Sequence, residues 1–118
     1  MTSEKNLSVR AQVLLWTAQR ISAAVLAVCV VVHLVTIIYA VRNGLSAAEI
    51  LGRTRGSYAW AGFYAIFLAA VVVHVPIGLR SVLAEAFNWR GRTLEATVLS
   101  IALATAIWGL RAVWAVFI

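Results

Sequence analysis

Three long apolar runs, separated by short stretches that carry most of the charge, constrain this chain more than any other feature. The runs cover residues 21–41, 58–83 and 94–117, and a helix crossing a bilayer needs about 20 apolar residues. Isolated strands cannot satisfy their backbone groups in lipid, so all three runs are predicted to be helical. The sequence therefore predicts an all-α integral membrane protein with three transmembrane helices.

The chain is too short to hold a second unit beside these spans. Of its 118 residues, 64% are hydrophobic and 12% charged, whereas soluble domains carry about 25% charge. The polar remainder cannot bury a core of its own. We expect a single membrane-anchor domain over residues 1–118, which excludes most enzymes that act alone.

The basic residues flank the apolar runs, which is typical of residues that set membrane topology rather than of nucleic-acid binding. Cationic residues are more numerous on the side of the amino end, with Lys5, Arg10, Arg20, Arg80, Arg90 and Arg92 there, against Arg42, Arg53, Arg55 and Arg111 on the other side. This bias favours a cytoplasmic amino end. Residues 1–8 lack the features of a signal or transit peptide, so the expected location is a bacterial cytoplasmic membrane.

The segments outside the runs have predicted roles as well. Residues 7–20 are predicted to form an amphipathic lead-in on the membrane surface, and residues 45–57 a loop with a short interfacial helix. The loop around residues 88–92 is short enough to make the second and third spans antiparallel neighbours. Cys29 is predicted to be a small residue of the membrane core.

His74 lies inside the second run, where an ionisable group is expensive and needs an explanation. Ala70 and Gly78 stand four residues before and after it, so they share its helical face and are expected to leave a groove for a flat macrocycle. Pro76 removes a backbone donor nearby. This arrangement is typical of an axial ligand of b-type haem, and the alternative is a histidine that only bonds a neighbouring helix.

His33 shares a face of the first run with Gln19, Ser22 and Cys29. Counted from Arg20 and Arg80 at about 1.5 Å per residue, His33 lies about 10 Å deeper than His74. The two histidines are therefore predicted not to clamp one iron. If both bind haem, they bind different haems, and each needs a partner histidine from a second membrane subunit.

Arg20 and Arg80 are predicted at the cytoplasmic boundary, where a guanidinium can pair with haem propionates or with a quinone oxygen. The alternative for both is snorkelling to lipid phosphate. Glu85 and Glu95 flank the loop between the second and third spans and are expected to be solvated.

With these residues, the chain resembles the cytochrome b membrane-anchor subunit of succinate dehydrogenase and fumarate reductase. The second-span signature of that family has a His, three residues, a Gly, an aliphatic residue and an Arg, which are matched here by His74, Gly78, Leu79 and Arg80. Ser81, Ala84 and Glu85 depart from the residues that are usual after it. The first-span signature ends in Arg and Ser or Thr, matched by Arg20 and Ser22, whereas Trp16 and Gln19 stand where the family has Ser and His.

The resemblance implies that His74 is the axial ligand of haem b, and that Arg20 and Ser22 lie at the quinone pocket and the haem propionates. Thr17 and Gln19 are then the candidates for the missing hydrogen bond to quinone, and Trp16 for a wall of the pocket. Because some members carry two haems, the resemblance also accommodates His33 as ligand of a second haem iron.

The hypothesis is therefore a non-catalytic membrane subunit of a succinate:quinone oxidoreductase complex. It would bind one haem b or two, and form a haem-binding helix bundle and a quinone site with a second membrane-anchor subunit, beside a flavoprotein subunit and an iron–sulfur subunit. Two alternatives remain: a haem b anchor of another quinone-linked dehydrogenase, and a cofactor-free small membrane protein.

Overall fold

The computed structural model describes residues 8–118, and within that range it contains four helices and no strand. They are α1 (Val9–Arg42), α2 (Ala47–Thr54), α3 (Tyr58–Phe87) and α4 (Arg92–Phe117). Three of them, α1, α3 and α4, are long and apolar enough to cross a membrane. The predicted all-α class with three spans is confirmed, and α2 lies where the short helix between the first two spans was predicted.

Serine side chains mark the start of three helices. Ser8 accepts a hydrogen bond from the backbone N–H of Ala11, at 3.2 Å, and Ser57 caps α3 in the same way. At α2 the cap is reciprocal: Ser46 Oγ accepts from the Glu49 N–H, and the Glu49 carboxylate accepts from the Ser46 N–H at 2.6 Å. Each cap satisfies a backbone donor that the first helical turn leaves unpaired.

The first helix is longer than its apolar run. It has 34 residues, which at 1.5 Å per residue is about 51 Å, against a hydrocarbon core of about 30 Å. Residues 9–20 of the predicted lead-in are the first three turns of this helix, which continues without a break at Arg20, and the place of this segment on the membrane surface stays a prediction. Residues 1–7, which include Lys5 and the start of that lead-in, lie outside the described residues.

The third helix is the middle element of the chain, with α1 packed on one side and α4 on the other. The turn between α3 and α4 needs two residues with positive φ, Asn88 at 49° and Gly91 at 99°. This tight turn makes α3 and α4 antiparallel neighbours, as predicted. The far end of α4 is tied to the segment after α2, because the Gly56 N–H donates to the Phe117 carbonyl at 2.7 Å.

The core of the described chain is small. Its buried apolar residues are Cys29, Ala70, Leu94 and Val98, whereas large apolar side chains are exposed along all three spans. The burial of Cys29 agrees with its predicted place in the core. A helix that is apolar all round lies in lipid or against other membrane helices, so these surfaces are available to both.

Candidate functional site

The imidazole of His74 lies where α3 meets α1, and it is half-buried. Its Nδ1 is 3.4 Å from Oγ of Ser22, a buried residue of α1. The same hydroxyl donates to the backbone carbonyl of Gln19 at 3.1 Å, one turn earlier on α1. His74 is therefore held at one ring nitrogen by a polar group of the neighbouring helix.

The small residues on either side of His74 do not form an open groove. Ala70 is buried, and a Cβ built on Gly78 would lie 3.0 Å from Nε2 of Gln19. The helical face that carries Ala70, His74 and Gly78 thus packs against its own chain. Small residues permit this close approach of two membrane helices, so the groove predicted from their spacing was wrong.

His33 occupies a second site, at a different level of the bundle. Its Nδ1 is 3.5 Å from the hydroxyl of Tyr64, and the rings of Tyr64 and Phe67 meet it edge-on, with centroids 5.9 and 5.8 Å away. Tyr64 precedes His74 by ten residues on α3, which is about 15 Å along the helix axis. The contacts therefore place the two histidines at separate depths, which agrees with the separation expected from the sequence.

A cavity of about 440 Å³, here called the His33 cavity, opens beside this second site. His33 and Tyr64 line it, together with Trp60 and Arg53. The Arg53 guanidinium lies over the Tyr39 ring, 5.5 Å from its centroid. The His33 cavity is thus apolar for most of its wall, and its polar residues are His33, two tyrosines, two threonines, Trp60 and the single cation Arg53.

Arg20 faces away from His74. Its guanidinium lies over the ring of Trp16, 4.9 Å from the centroid, and the residue is exposed. Successive residues of a helix are about 100° apart, so Arg20 and Ser22 point to nearly opposite sides of α1. The two first-span residues that the family resemblance grouped together are separated by the structure.

A larger cavity, of about 890 Å³, lies at the end of the bundle where α1 begins and α3 ends. We call it the Trp16 cavity. Its wall includes predicted site residues from two helices, Trp16, Gln19 and Arg80. Small-molecule sites commonly have about 300–1,000 Å³, so its size is ordinary for a ligand. Oε1 of Gln19, one of the lining residues, is buried and has no hydrogen-bond partner among residues 8–118.

The Arg80 side chain is held by an ion pair across this end of the bundle. Its Nε and Nη2 both lie 2.7 Å from Oε1 of Glu95, on the first turn of α4, and both side chains are about half exposed. Glu95 is exposed, as expected, and its ion pair with Arg80 was not predicted. The short loop that makes α3 and α4 antiparallel also brings these two residues together, which was the signal available in the sequence.

The predicted site residues therefore fall into separate groups. His74 and Ser22 touch, whereas Trp16, Gln19 and Arg80 line the Trp16 cavity. Thr17 and Arg20 are not among the residues that line that cavity, and His33 is remote from it. Sequence analysis missed Tyr64 as the neighbour of His33, since nothing in the sequence sets the register of α1 against α3.

Residues 8–118 contain no group of three or more His, Cys, Asp or Glu side chains that could hold a metal ion. A bare metal ion would therefore find too few ligands in the described part of this chain. Haem iron is different, because its porphyrin supplies four nitrogens and the protein adds only axial ligands. A single histidine from this chain is sufficient for that kind of site.

Comparison with known families finds one match that spans most of the chain. A family model described as "Succinate dehydrogenase/Fumarate reductase transmembrane subunit" matches residues 3–112. Comparison of the chain with curated proteins and with solved structures gave no match.

Proposed function

Because the chain belongs to the succinate dehydrogenase/fumarate reductase transmembrane subunit family, we propose that it is a haem b anchor of a succinate:quinone oxidoreductase. The observation that carries the proposal is the state of His74. Ser22 engages its Nδ1, and Nε2 has no hydrogen-bond partner among residues 8–118. An imidazole held at one nitrogen and free at the other is the usual form of a histidine that binds a metal.

The unpaired Nε2 of His74 supports an axial ligand of haem b rather than a purely structural histidine. A structural histidine inside a membrane normally satisfies both ring nitrogens, since an unpaired polar atom is expensive there. When bound, haem supplies one-electron redox chemistry. The role of this chain is to present Nε2 of His74 and to exclude water with the apolar side chains of α1 and α3. The second axial ligand is proposed to come from a second membrane-anchor subunit.

The Trp16 cavity is the proposed quinone site of the chain. Gln19 lines the cavity, and its unpaired Oε1 would accept from the hydroxyl of a reduced quinone once the buried amide turns toward the cavity. Arg80 also lines the cavity and offers the guanidinium donors that Glu95 leaves free, and Trp16 provides an aromatic surface. Arg20, whose guanidinium lies over the Trp16 ring, would hold that ring in place. This assignment replaces Ser22 and Thr17 by Gln19 and Arg80 as the groups nearest the quinone.

The remaining parts of the proposal concern the assembly. Electrons would come from an iron–sulfur subunit that receives them from a flavoprotein subunit, so this chain carries out no dicarboxylate chemistry itself. Its amino end is proposed to lie in the cytoplasm of a bacterium, at the side of the Trp16 cavity. His33 is proposed as the ligand of a second haem if the complex holds two.

The test is a dithionite-reduced minus oxidised spectrum of the purified complex, with a haem count per copy of this chain. We expect His74→Ala to remove one b-type haem from the count. His33→Ala is the matched control, because His33 is the only other histidine and lies at another depth. In a one-haem complex it leaves the spectrum unchanged, and in a two-haem complex it removes the other haem. An unchanged haem count in His74→Ala, or no haem in the parent complex, would contradict the proposal.

A further inference from the structure

Ser22 carries a hydroxyl within the apolar helix α1, and the residue is only 5% exposed. Burying a hydroxyl away from water costs free energy unless the group forms hydrogen bonds. Two partners are within reach: the Gln19 carbonyl at 3.1 Å and Nδ1 of His74 at 3.4 Å. The bond to the Gln19 carbonyl already satisfies the Ser22 hydroxyl as a donor. The contact with His74 therefore needs a separate explanation.

The direction in which the Ser22 hydroxyl donates its proton determines which ring nitrogen of His74 carries the imidazole proton. A serine hydroxyl has one proton to donate and lone pairs to accept with. A backbone carbonyl can only accept, and it is the nearer partner, so Ser22 donates to Gln19. Towards His74 the same oxygen must then accept, which requires the proton of the neutral imidazole to be on Nδ1.

We infer that Ser22 is the positioning residue of His74, selecting the tautomer with N–H at Nδ1 and leaving the electron pair on Nε2 for a metal. This inference rests on the proposed function of His74 as a haem ligand. The family resemblance implied that Ser22 lies at the quinone pocket, whereas this inference gives Ser22 the role of orienting the ligand His74. Groups that bind the second ring nitrogen of a ligating histidine fix its orientation and make it a stronger ligand.

The packing of α1 against α3 around Ser22 keeps its hydroxyl level with the imidazole of His74. One turn earlier on α1, the side chain of Gln19 meets Gly78, which is one turn after His74 on α3. Because the two helices run antiparallel, these contacts set the height of Ser22 relative to His74. Gly78 has no side chain, which lets Gln19 approach and lets Ser22 reach the imidazole.

The test compares Ser22→Ala and Ser22→Thr in the whole membrane complex, with Ser100→Ala as the matched control. Ser100 also donates its hydroxyl to a carbonyl of its own helix, that of Ala96 at 2.7 Å, but it is exposed and contacts no histidine. Two properties of the haem are measured: its midpoint potential, and the rate at which it transfers to excess apomyoglobin.

We expect Ser22→Ala to assemble with haem but to bind it more weakly. Loss of such a supporting group typically lowers metal affinity about 10–100-fold, so haem transfer should accelerate by a similar factor. The midpoint potential should rise, because an imidazole without an acceptor at Nδ1 donates less electron density and stabilises the ferric form less. Ser22→Thr keeps a hydroxyl, so both properties should have their parental values in that variant. Ser100→Ala should also leave both unchanged.

The inference and the proposed function fail in different ways. If His74→Ala loses haem while Ser22→Ala keeps the parent potential and transfer rate, the positioning role of Ser22 is refuted and the ligand role of His74 stands. If His74→Ala also keeps its haem, the proposed function itself is refuted. Should Ser22→Ala not assemble, Ser22→Cys takes its place, with faster haem transfer supporting the inference and parental behaviour overturning it.

Discussion

Replacing Gly109 with alanine tests how closely α3 and α4 pack. A Cβ at this position would overlap Cδ1 of Leu68 on α3, and it would lie 3.1 Å from both Cγ and Cδ2. Carbon atoms in contact prefer about 3.5–4.0 Å, so the added methyl is too close by about 0.4 Å or more even at the two farther atoms. Either Leu68 leaves its rotamer or α4 moves away from α3.

The magnitude follows from two opposing effects. Overpacking of a core typically costs about 1–3 kcal/mol, whereas alanine in place of glycine favours the helix by about 1 kcal/mol. We expect Gly109→Ala to lower the free energy of unfolding by up to about 2 kcal/mol. Gly62→Ala is the matched control, because a Cβ there meets nothing within 4 Å and only the helical gain remains.

The assay is a double-mutant cycle on the full-length chain in mixed micelles, unfolded with increasing dodecyl sulfate and followed by circular dichroism. Leu68→Ala removes the atoms that the new methyl would overlap, so the double variant with Gly109→Ala should be more stable than the sum of the single effects by about 1–3 kcal/mol. Additivity of the two substitutions within about 0.5 kcal/mol would refute the reasoning, because it would mean that Leu68 and Gly109 are not opposed.

Two further predictions concern the charged residues outside the apolar core. Glu95→Gln should change the free energy of unfolding by less than about 1 kcal/mol, because Arg80 and Glu95 are both about half exposed and water screens their attraction. The same titration measures it, and a loss above about 2 kcal/mol would contradict the estimate. The Ser46 backbone N–H, and then the Ser46 side chain, hold the pKa of Glu49 below its ordinary value of 4.5. The ionised carboxylate therefore stabilises the start of α2 above that ordinary value, and the contribution is lost as the pH falls through the lower pKa of the folded state. Hydrogen exchange of the α2 amides, corrected for the intrinsic rate, should accelerate at acid pH in the parent chain but not in Glu49→Gln, and equal acceleration in both would contradict this role.

The identity of His74 as a residue of interest could be predicted from the sequence, but its surroundings could not. An ionisable side chain within an apolar run can be recognised from the sequence alone, because placing it in lipid costs free energy whichever residues it later contacts. The partner of His74 is 52 residues away, and that contact exists only for one rotation and one height of α1 against α3. The spacing of Ala70 and Gly78 could also be read from the sequence, but it indicated only that another group could approach this face of α3 closely, without identifying that group. The structure identifies the close neighbour at Gly78 as Gln19.

The sequence by itself determined that the chain has three apolar helices, because lipid offers no hydrogen bonds and leaves the backbone no alternative. It also determined the family, since the pattern of His74, Gly78 and Arg80 requires no knowledge of contacts. Only the tertiary structure decided that Ser22 contacts His74, that Arg20 turns away from it and that Glu95 pairs with Arg80. The reason is physical: composition and period set the local helix, whereas the pairing of side chains depends on the relative rotation and height of helices that are distant in sequence.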